Sequence, residues 1–408
     1  MKRLLSPLNT VVLTQFLSAF ADNLNFFLIV GMVKRQGAAN PDIAVNYIQI
    51  AFLAAYIVLA PIVGAFADKK AKSNVLLLGN ALKAAGIAML LFGLPPALCY
   101  VFVGIGAVVY SPGKYGILTE LTTTESELLR ANAKVEGSTI LAILLGTVAG
   151  GFLAQNSDLP AVVACLAVYV LSLLMTFLIP AKPGNADLRY GKEAMQFLRD
   201  FGTMFRNPRA RFSLIGTGSF WLTAAVLRIA LIAWLPLNLG ITDTDRQSMM
   251  IGITAIGVVA SAFLTPKLVP AGKLHRAFFY GLFMVAAVML ATMTYVLWLT
   301  VALLFLIGVF GGIFVIPLNT MLQEEGKTTI GSGKTIAVQN FSENVLTVTG
   351  LLIYLTLSQM HVSVNGSVIG IGLVLLAFIL FLATQLRAIA GTKRQSQAGR
   401  SGQTSKQG

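Results

Sequence analysis

Apolar residues gather into runs of about 20 along nearly the whole chain, long enough at about 1.5 Å per residue to cross the hydrocarbon of a bilayer as helices. The runs fall near residues 9–33, 46–67, 74–93, 98–118, 134–154, 160–180, 212–237, 248–269, 277–296, 298–321, 335–358 and 367–387, which predicts twelve transmembrane helices. One connection, residues 181–211, is long and divides the runs six and six. Within it Tyr190, Ala194, Met195, Leu198, Phe201 and Phe205 recur at helical spacing among Arg189, Lys192, Arg199 and Arg206, predicting an amphipathic helix on the membrane interface. The domain organisation expected is a six-helix half over 1–180, a linker over 181–211, a second six-helix half over 212–387, and a polar, disordered tail over 388–408.

Polar positions inside the runs are few and ordered. In the first run Gln15, Ser18, Asp22 and Asn25 fall on one helical stripe. An aspartate near the centre of a spanning helix costs about 2.5 to 3.5 kcal/mol even on a mild insertion scale, so a partner inside the protein should offset it. Thr217, Trp221, Ala224 and Arg228 share a face of the seventh run, and Gln339, Ser342, Glu343, Thr347 and Gly350 form a stripe on the eleventh. The intramembrane ionisable residues are Asp22, Lys83, Lys114, Glu136, Arg228 and Glu343. Asp22 and Arg228 lie at comparable expected depths in corresponding runs of the two halves, so a salt bridge between them competes with ligand binding as their role. Lys83 is expected to snorkel or to pair with a neighbouring carboxylate.

Composition then fixes the class. With 56% hydrophobic and 11% charged residues the chain is an all-α polytopic membrane protein. Lys and Arg outnumber Asp and Glu by 30 to 16, and nearly all of them lie on the face shared by the N-terminus, the long connection and the C-terminus. The opposite face holds only Lys34, Arg35 and Arg246. That bias predicts both termini in the cytoplasm and removes the need to invoke nucleic acid. Cys99 and Cys165 fit no metal or redox spacing, no metal site is expected, and no cleavable signal peptide precedes the first run.

A weak internal repeat supports two related halves. Tyr110-Ser-Pro112-Gly-Lys114 with Glu120 finds a counterpart in Ile316-Pro317-Leu-Asn319 with Glu324 and Glu325, at an offset close to that between Asp22 and Arg228. Such paired halves suit a rocking transporter whose path lies between them. After the second run, Gly64-Ala-Phe-Ala67-Asp68-Lys-Lys-Ala-Lys72 resembles the loop signature of the major facilitator superfamily. In that resemblance Gly64 lets a neighbouring helix approach, while Asp68 and Lys72 belong to a gating loop. The pattern departs at Ala71 and Ser73, and the equivalent loop around Thr265-Pro-Lys267 lacks the aspartate. Gly137, Gly146, Gly150 and Gly151 are similar to a drug-antiporter signature without its proline; close helix packing is the preferred reading.

Six further segments are similar to the bacterial lysophospholipid transporters within that superfamily. They are Gln15-Phe-Leu-Ser-Ala-Phe-Ala-Asp-Asn23, Tyr110-Ser-Pro-Gly-Lys-Tyr-Gly-Ile-Leu-Thr-Glu-Leu121, Ala142-Ile-Leu-Leu-Gly-Thr-Val-Ala-Gly-Gly151, Arg211-Phe-Ser-Leu-Ile-Gly216, Leu239-Gly-Ile-Thr-Asp243, and Ala337-Val-Gln-Asn340 with Glu343-Asn344. The resemblance implies movement of lysophosphatidylethanolamine and related lipids across the bacterial inner membrane to its cytoplasmic leaflet, with an acyltransferase/acyl-carrier-protein synthetase as functional partner. It departs at Glu325, where a basic residue is usual, and at Lys334, where asparagine is expected. On this reading the headgroup or coupling ion meets Asp22, Asn25, Arg228, Lys114, Glu136, Glu343, Gln339 and Asn340, with Arg228 on the phosphate and Asp22 on the ammonium or the ion. Lys114 and Glu136, with Glu120, also suit an inner gate. Phe20, Phe26, Phe27 and Trp221, with Phe220, are candidates to line the acyl path, against simple packing.

Other classes fit less well. The two histidines, His275 and His361, are followed five positions on by Tyr280 and Gly366, so the His-x-x-x-x-Asp pair of glycerolipid acyltransferases is absent. No phosphate-cradling loop suits ATP-driven transport. A proton-coupled exporter of drugs or amphiphiles remains the alternative within the class, and a lipid-modifying enzyme the alternative outside it. No cofactor is called for, Na+ or H+ stay open as coupling ions, and a monomer among membrane lipids is the expected state.

Overall fold

The computed structural model describes residues 6–35, 41–156, 158–242 and 244–404. Thirteen helices are formed among them: α1 (Pro7–Arg35), α2 (Pro41–Lys69), α3 (Lys72–Leu91), α4 (Pro96–Leu121), α5 (Glu125–Asn156), α6 (Asp158–Thr176), α7 (Tyr190–Arg206), α8 (Pro208–Leu239), α9 (Thr244–Leu268), α10 (Phe278–Met293), α11 (Leu297–Thr329), α12 (Ser332–Gln359) and α13 (Val364–Thr404). A short 3-10 turn, Leu274–Ala277, leads into α10. All but α7 are long and apolar enough to cross a membrane, giving twelve spans.

Helix ends follow local chemistry. Asn207 caps α8, its side-chain oxygen accepting from the amides of Arg209 (2.9 Å) and Ala210 (3.1 Å), with Pro208 in the first turn. At the other end Gly240 closes α8 in the left-handed region, φ 65°. α5 starts well before the apolar run at 134, because Thr124 and Glu127 form a capping box. The Thr124 hydroxyl accepts from the Glu127 amide (3.2 Å), and the Glu127 carboxylate accepts from the amides of Thr123 (2.8 Å) and Thr124 (3.4 Å). α13 likewise continues to Thr404, past the point where a disordered tail is expected. That stretch holds no proline and is rich in Ala, Arg, Gln and Lys, which favour helix even between glycines.

Packing of α1 on α5 explains the glycines of the fifth span. A Cβ at Gly146 would lie 2.5 Å from the Phe20 carbonyl oxygen, and one at Gly150 would lie 2.9 Å from Leu24 Cα. Close approach is therefore their use. The largest apolar cluster belongs mainly to α8–α13 and holds Phe212, Trp234 and Phe314, while a smaller one joins α1, α3, α4 and α6 around Leu24, Leu28 and Tyr169. Between the two sets of helices, α2 meets α12 and α5 meets α9, with further contacts of α4 and α5 on α11 and α12. The side of the molecule where α1 begins and α13 ends carries most of the Lys and Arg and is termed the basic face.

Candidate functional site

The polar stripe of α1 lies within a network confined to the first six helices. Asp22 pairs with Lys83 of α3 (2.7 Å) and accepts from the Tyr169 hydroxyl of α6 (2.7 Å). Lys83 also donates to Ser18 (2.9 Å), and its ammonium stands 4.8 Å from the Tyr110 ring centre. Ser18 donates to Asn80 (2.9 Å), Asn80 to Ser172 (2.9 Å), and Ser172 to the Thr14 carbonyl (2.9 Å). Gln15 donates to Thr139 of α5 (2.9 Å). The Lys83 side chain is 2% exposed whereas that of Asp22 keeps 26%, so the cation is enclosed and the anion retains an open edge. This pair offsets the cost of both charges. Nearby, the Asn25 amide of α1 and the Tyr110 hydroxyl of α4 are buried with no partner among the described residues.

The Asp22 to Arg228 bridge, the alternative to ligand binding, is therefore not formed among the described residues. Arg228 is exposed on α8, and among the described residues its side chain has no ion pair or hydrogen bond. Geometry supplies the reason. α8 begins at Pro208 rather than 212, which puts Arg228 about 30 Å along its helix and Asp22 about 22 Å along α1, at about 1.5 Å per residue. Trp221 is exposed on the same helix, with its ring 5.3 Å from that of Phe220, which is buried in the core. Phe26 packs on Phe27 (5.3 Å) and Tyr100 (6.1 Å), and Phe20 stacks on Phe16 (6.3 Å).

Nearer the basic face, one chain of hydrogen bonds crosses between the halves. Tyr115 donates to Glu136 (2.6 Å), Asn319 donates to the same carboxylate oxygen (3.3 Å), and Gln339 donates both to Asn319 (2.7 Å) and to Glu343 (2.8 Å). Glu136, Asn319, Gln339 and Glu343 are all buried. Lys114 stands over the Tyr115 ring (4.0 Å) beside this chain, and Asn340 donates to Ser111 (2.9 Å). Four of the residues singled out by sequence are thus brought into one layer, Lys114, Glu136, Gln339 and Glu343, and Asn340 joins the halves alongside. Tyr115 and Asn319 were not singled out as site residues. The repeat held the signal for Asn319, since it follows Pro317 as Lys114 follows Pro112.

At the basic face itself the halves are latched. Asp68 accepts from the Gly333 amide (2.7 Å) and the Lys334 amide (3.0 Å) at the start of α12, and from the Lys72 ammonium (2.6 Å). Its charge meets the positive end of that helix. Gly64 permits the contact, as a Cβ there would lie 2.7 Å from Lys334 Cα. Asn132 and Gln323 exchange amide hydrogen bonds (3.1 and 2.9 Å), Asn132 also reaches Thr320 (3.2 Å), and Thr119 meets Ser332 (3.0 Å). Arg209 gathers Glu325 (2.6 Å), Glu324 (3.6 Å) and Glu125 (4.0 Å), so Glu325 has a cation of its own. Lys334 pairs with Glu193 and with Asp200 (3.4 Å) of α7. Burial pushes the Asp200 carboxyl up while the Lys334 ammonium draws it back.

Comparisons with known proteins agree on one lineage. The Major Facilitator Superfamily model matches residues 11–350. The lysophospholipid transporter LplT of Escherichia coli O1:K1 / APEC is 41% identical over 370 residues, covering 90% of this chain and 91% of that protein. The lysophospholipid transporter LplT of Citrobacter koseri is 42% identical over 369 residues, covering 89% and 90%. Among solved structures, the human organic anion transporter MFSD10 (TETRAN) aligns with a TM-score of 0.75 at 16% identity, covering 93% of this chain and 100% of that one. FucP in the outward conformation aligns with a TM-score of 0.75 at 14% identity, covering 93% and 99%. These two carry the fold.

Proposed function

The chain belongs to the lysophospholipid transporter family of the major facilitator superfamily, and we propose that it carries lysophospholipids such as lysophosphatidylethanolamine across the bacterial inner membrane to the cytoplasmic leaflet. It is a transporter and not an enzyme. The basic face is read as cytoplasmic on the charge bias. The bonds that join α4 and α5 to α11 and α12 then close the inner side, as in a state that receives substrate from outside. Reacylation by an acyltransferase/acyl-carrier-protein synthetase partner would remove the delivered lipid.

The observation that carries the reading is the contrast between Asp22, paired within one half, and Arg228, unpaired in the other. A zwitterionic headgroup matches it. Arg228 offers two parallel donors to the phosphate, and the open edge of Asp22 offers attraction to the ammonium beside Lys83. Asn25 on that stripe and the Tyr110 hydroxyl of α4, whose ring lies under Lys83, have unused hydrogen-bonding capacity. Below them, the chain through Gln339 ties Glu343 to Glu136, so binding that draws on either acid would loosen the closed floor. Lys114 stands beside the same floor, and Asn340 holds α12 to α4 at Ser111. The acyl chain needs an apolar wall, which Phe20, Phe26, Phe27 and Trp221 supply, with sideways access from the bilayer.

Coupling runs to H+ or Na+ through Asp22, Glu136 or Glu343. The decisive experiment measures labelled lysophosphatidylethanolamine uptake in right-side-out and inverted vesicles, with H+ and Na+ gradients imposed separately. Arg228→Ala and Asp22→Ala should each abolish uptake at normal protein levels. Uptake preserved in both variants would sink the site assignment.

A further inference from the structure

α7 stands apart from the spans, yet it is not a loose linker. Its inward face, Phe197 and Met204, is buried in one cluster with Ala60 and Val63 of α2 and Ala337 and Val338 of α12. Phe197 and Phe201 set their rings against Phe341 at 5.4 and 5.9 Å. Phe341 and Ala60 both lie about 14 Å from the basic-face ends of their helices, at about 1.5 Å per residue. So the rings of α7 reach that depth where the helix crosses the α2–α12 seam, with Glu193 and Asp200 both on Lys334 and Phe197 and Phe201 both on Phe341. That height corresponds to the headgroups and first acyl carbons of the adjoining leaflet.

The outward face has a different chemistry. Lys192, Arg199 and Arg206 repeat every seven residues down one flank, and Met195 and Leu198, 82% and 75% exposed, stand beside them. A row of cations next to bulky apolar side chains is what an anionic lipid surface attracts. On the inward flank Glu193 and Asp200, also seven apart, hold the ammonium of Lys334. The amide of that same residue is held by Asp68 of the first half. Residue 334 is thus gripped by its main chain from one side and by its side chain from α7.

We propose that α7 is a lid over the α2–α12 seam, seated by anionic phospholipid headgroups of the cytoplasmic leaflet and pinned through Lys334, so that it bars the sideways route from the central site into that leaflet. The proposal rests on the basic face being cytoplasmic. Its release, by loss of the Lys334 contacts as α12 moves from α2, opens that route to the delivered lipid. Seating on lipid makes the charge of the leaflet a control on the gate.

The test uses the full chain carrying Val338→Cys, a reporter buried under α7, in vesicles of phosphatidylcholine with and without phosphatidylglycerol. A membrane-impermeant maleimide is applied from the basic-face side, and the parent chain, whose Cys99 and Cys165 are buried, gives the background. Phosphatidylglycerol should slow labelling about tenfold. Neutralising Lys192, Arg199 and Arg206 to Gln should erase that difference, and Lys334→Ala should label fast in both vesicles, with Lys334→Arg restoring slow labelling and so reporting that the fold is intact. Labelling indifferent to phosphatidylglycerol, or Lys334→Ala with Val338→Cys labelling as slowly as Val338→Cys alone in phosphatidylglycerol vesicles, overturns the lid. Lysolipid uptake measured in the same vesicles separates the two readings: uptake lost with the labelling pattern intact sinks the substrate assignment alone.

Discussion

The two halves treat a charge within a spanning helix in opposite ways. In the first, Asp22 is answered by Lys83 and Tyr169, and the network runs on through Ser18, Asn80 and Ser172. In the second, Arg228 stands on α8 without a protein partner among the described residues. A charge satisfied by its own fold contributes to holding that half rigid. One left open costs stability and is retained where something else comes to meet it. The asymmetry separates scaffold from receptor.

Breaking the paired side should give the largest effect. Lys83→Ala leaves Asp22 without its cation and should cost about 3 kcal/mol or more of stability, read as a lowered unfolding midpoint in detergent. The double change Asp22→Asn with Lys83→Met should recover most of that midpoint yet not restore transport. Next is the open side: Arg228→Ala should cut lysolipid uptake at least about tenfold while leaving the midpoint within about 0.5 kcal/mol of the parent. A midpoint that fell as far as that of Lys83→Ala would erase the distinction between the halves. Asp68→Asn removes charge from the latch and should weaken the closed state by about 1 to 2 kcal/mol, seen as a wider distance distribution between spin labels on α2 and α12. The smallest change is expected for Asn132→Ala, about 1 kcal/mol on the same closure, because Thr320 and Gln323 can turn to water once the seam parts.

The spans and α7 were legible because hydrophobic periodicity is local and each helix carries its own. Asp22 was legible as an anomaly for the same reason. Its partner was not singled out, although a neighbouring carboxylate was one expectation for Lys83, since choosing Lys83 over Arg228 requires knowing that α4 and α6 pack on both α1 and α3. The early start of α5 was written in Thr124 and Glu127, a capping box hidden by the polar turn that follows it. Asn132 with Gln323, and Tyr115 at Glu136, are neutral residues whose cost in a span is smaller than that of a charge, and only Asn319, two positions after Pro317, was marked by the repeat before helices from the two halves meet. The departures at Glu325 and Lys334 gained meaning only with Arg209 and α7 in place.

Asp68 grips α12 by two backbone amides, and a backbone amide is offered by any residue other than proline. The latch therefore reads the path of the chain and is blind to which side chain stands at 334. Substitution at that position leaves the Asp68 latch in place and changes only what α7 holds, so a lysine there can be recruited to a separate partner. A lock built on main chain leaves its keyhole open to new wiring, and the tie to α7 is one such connection.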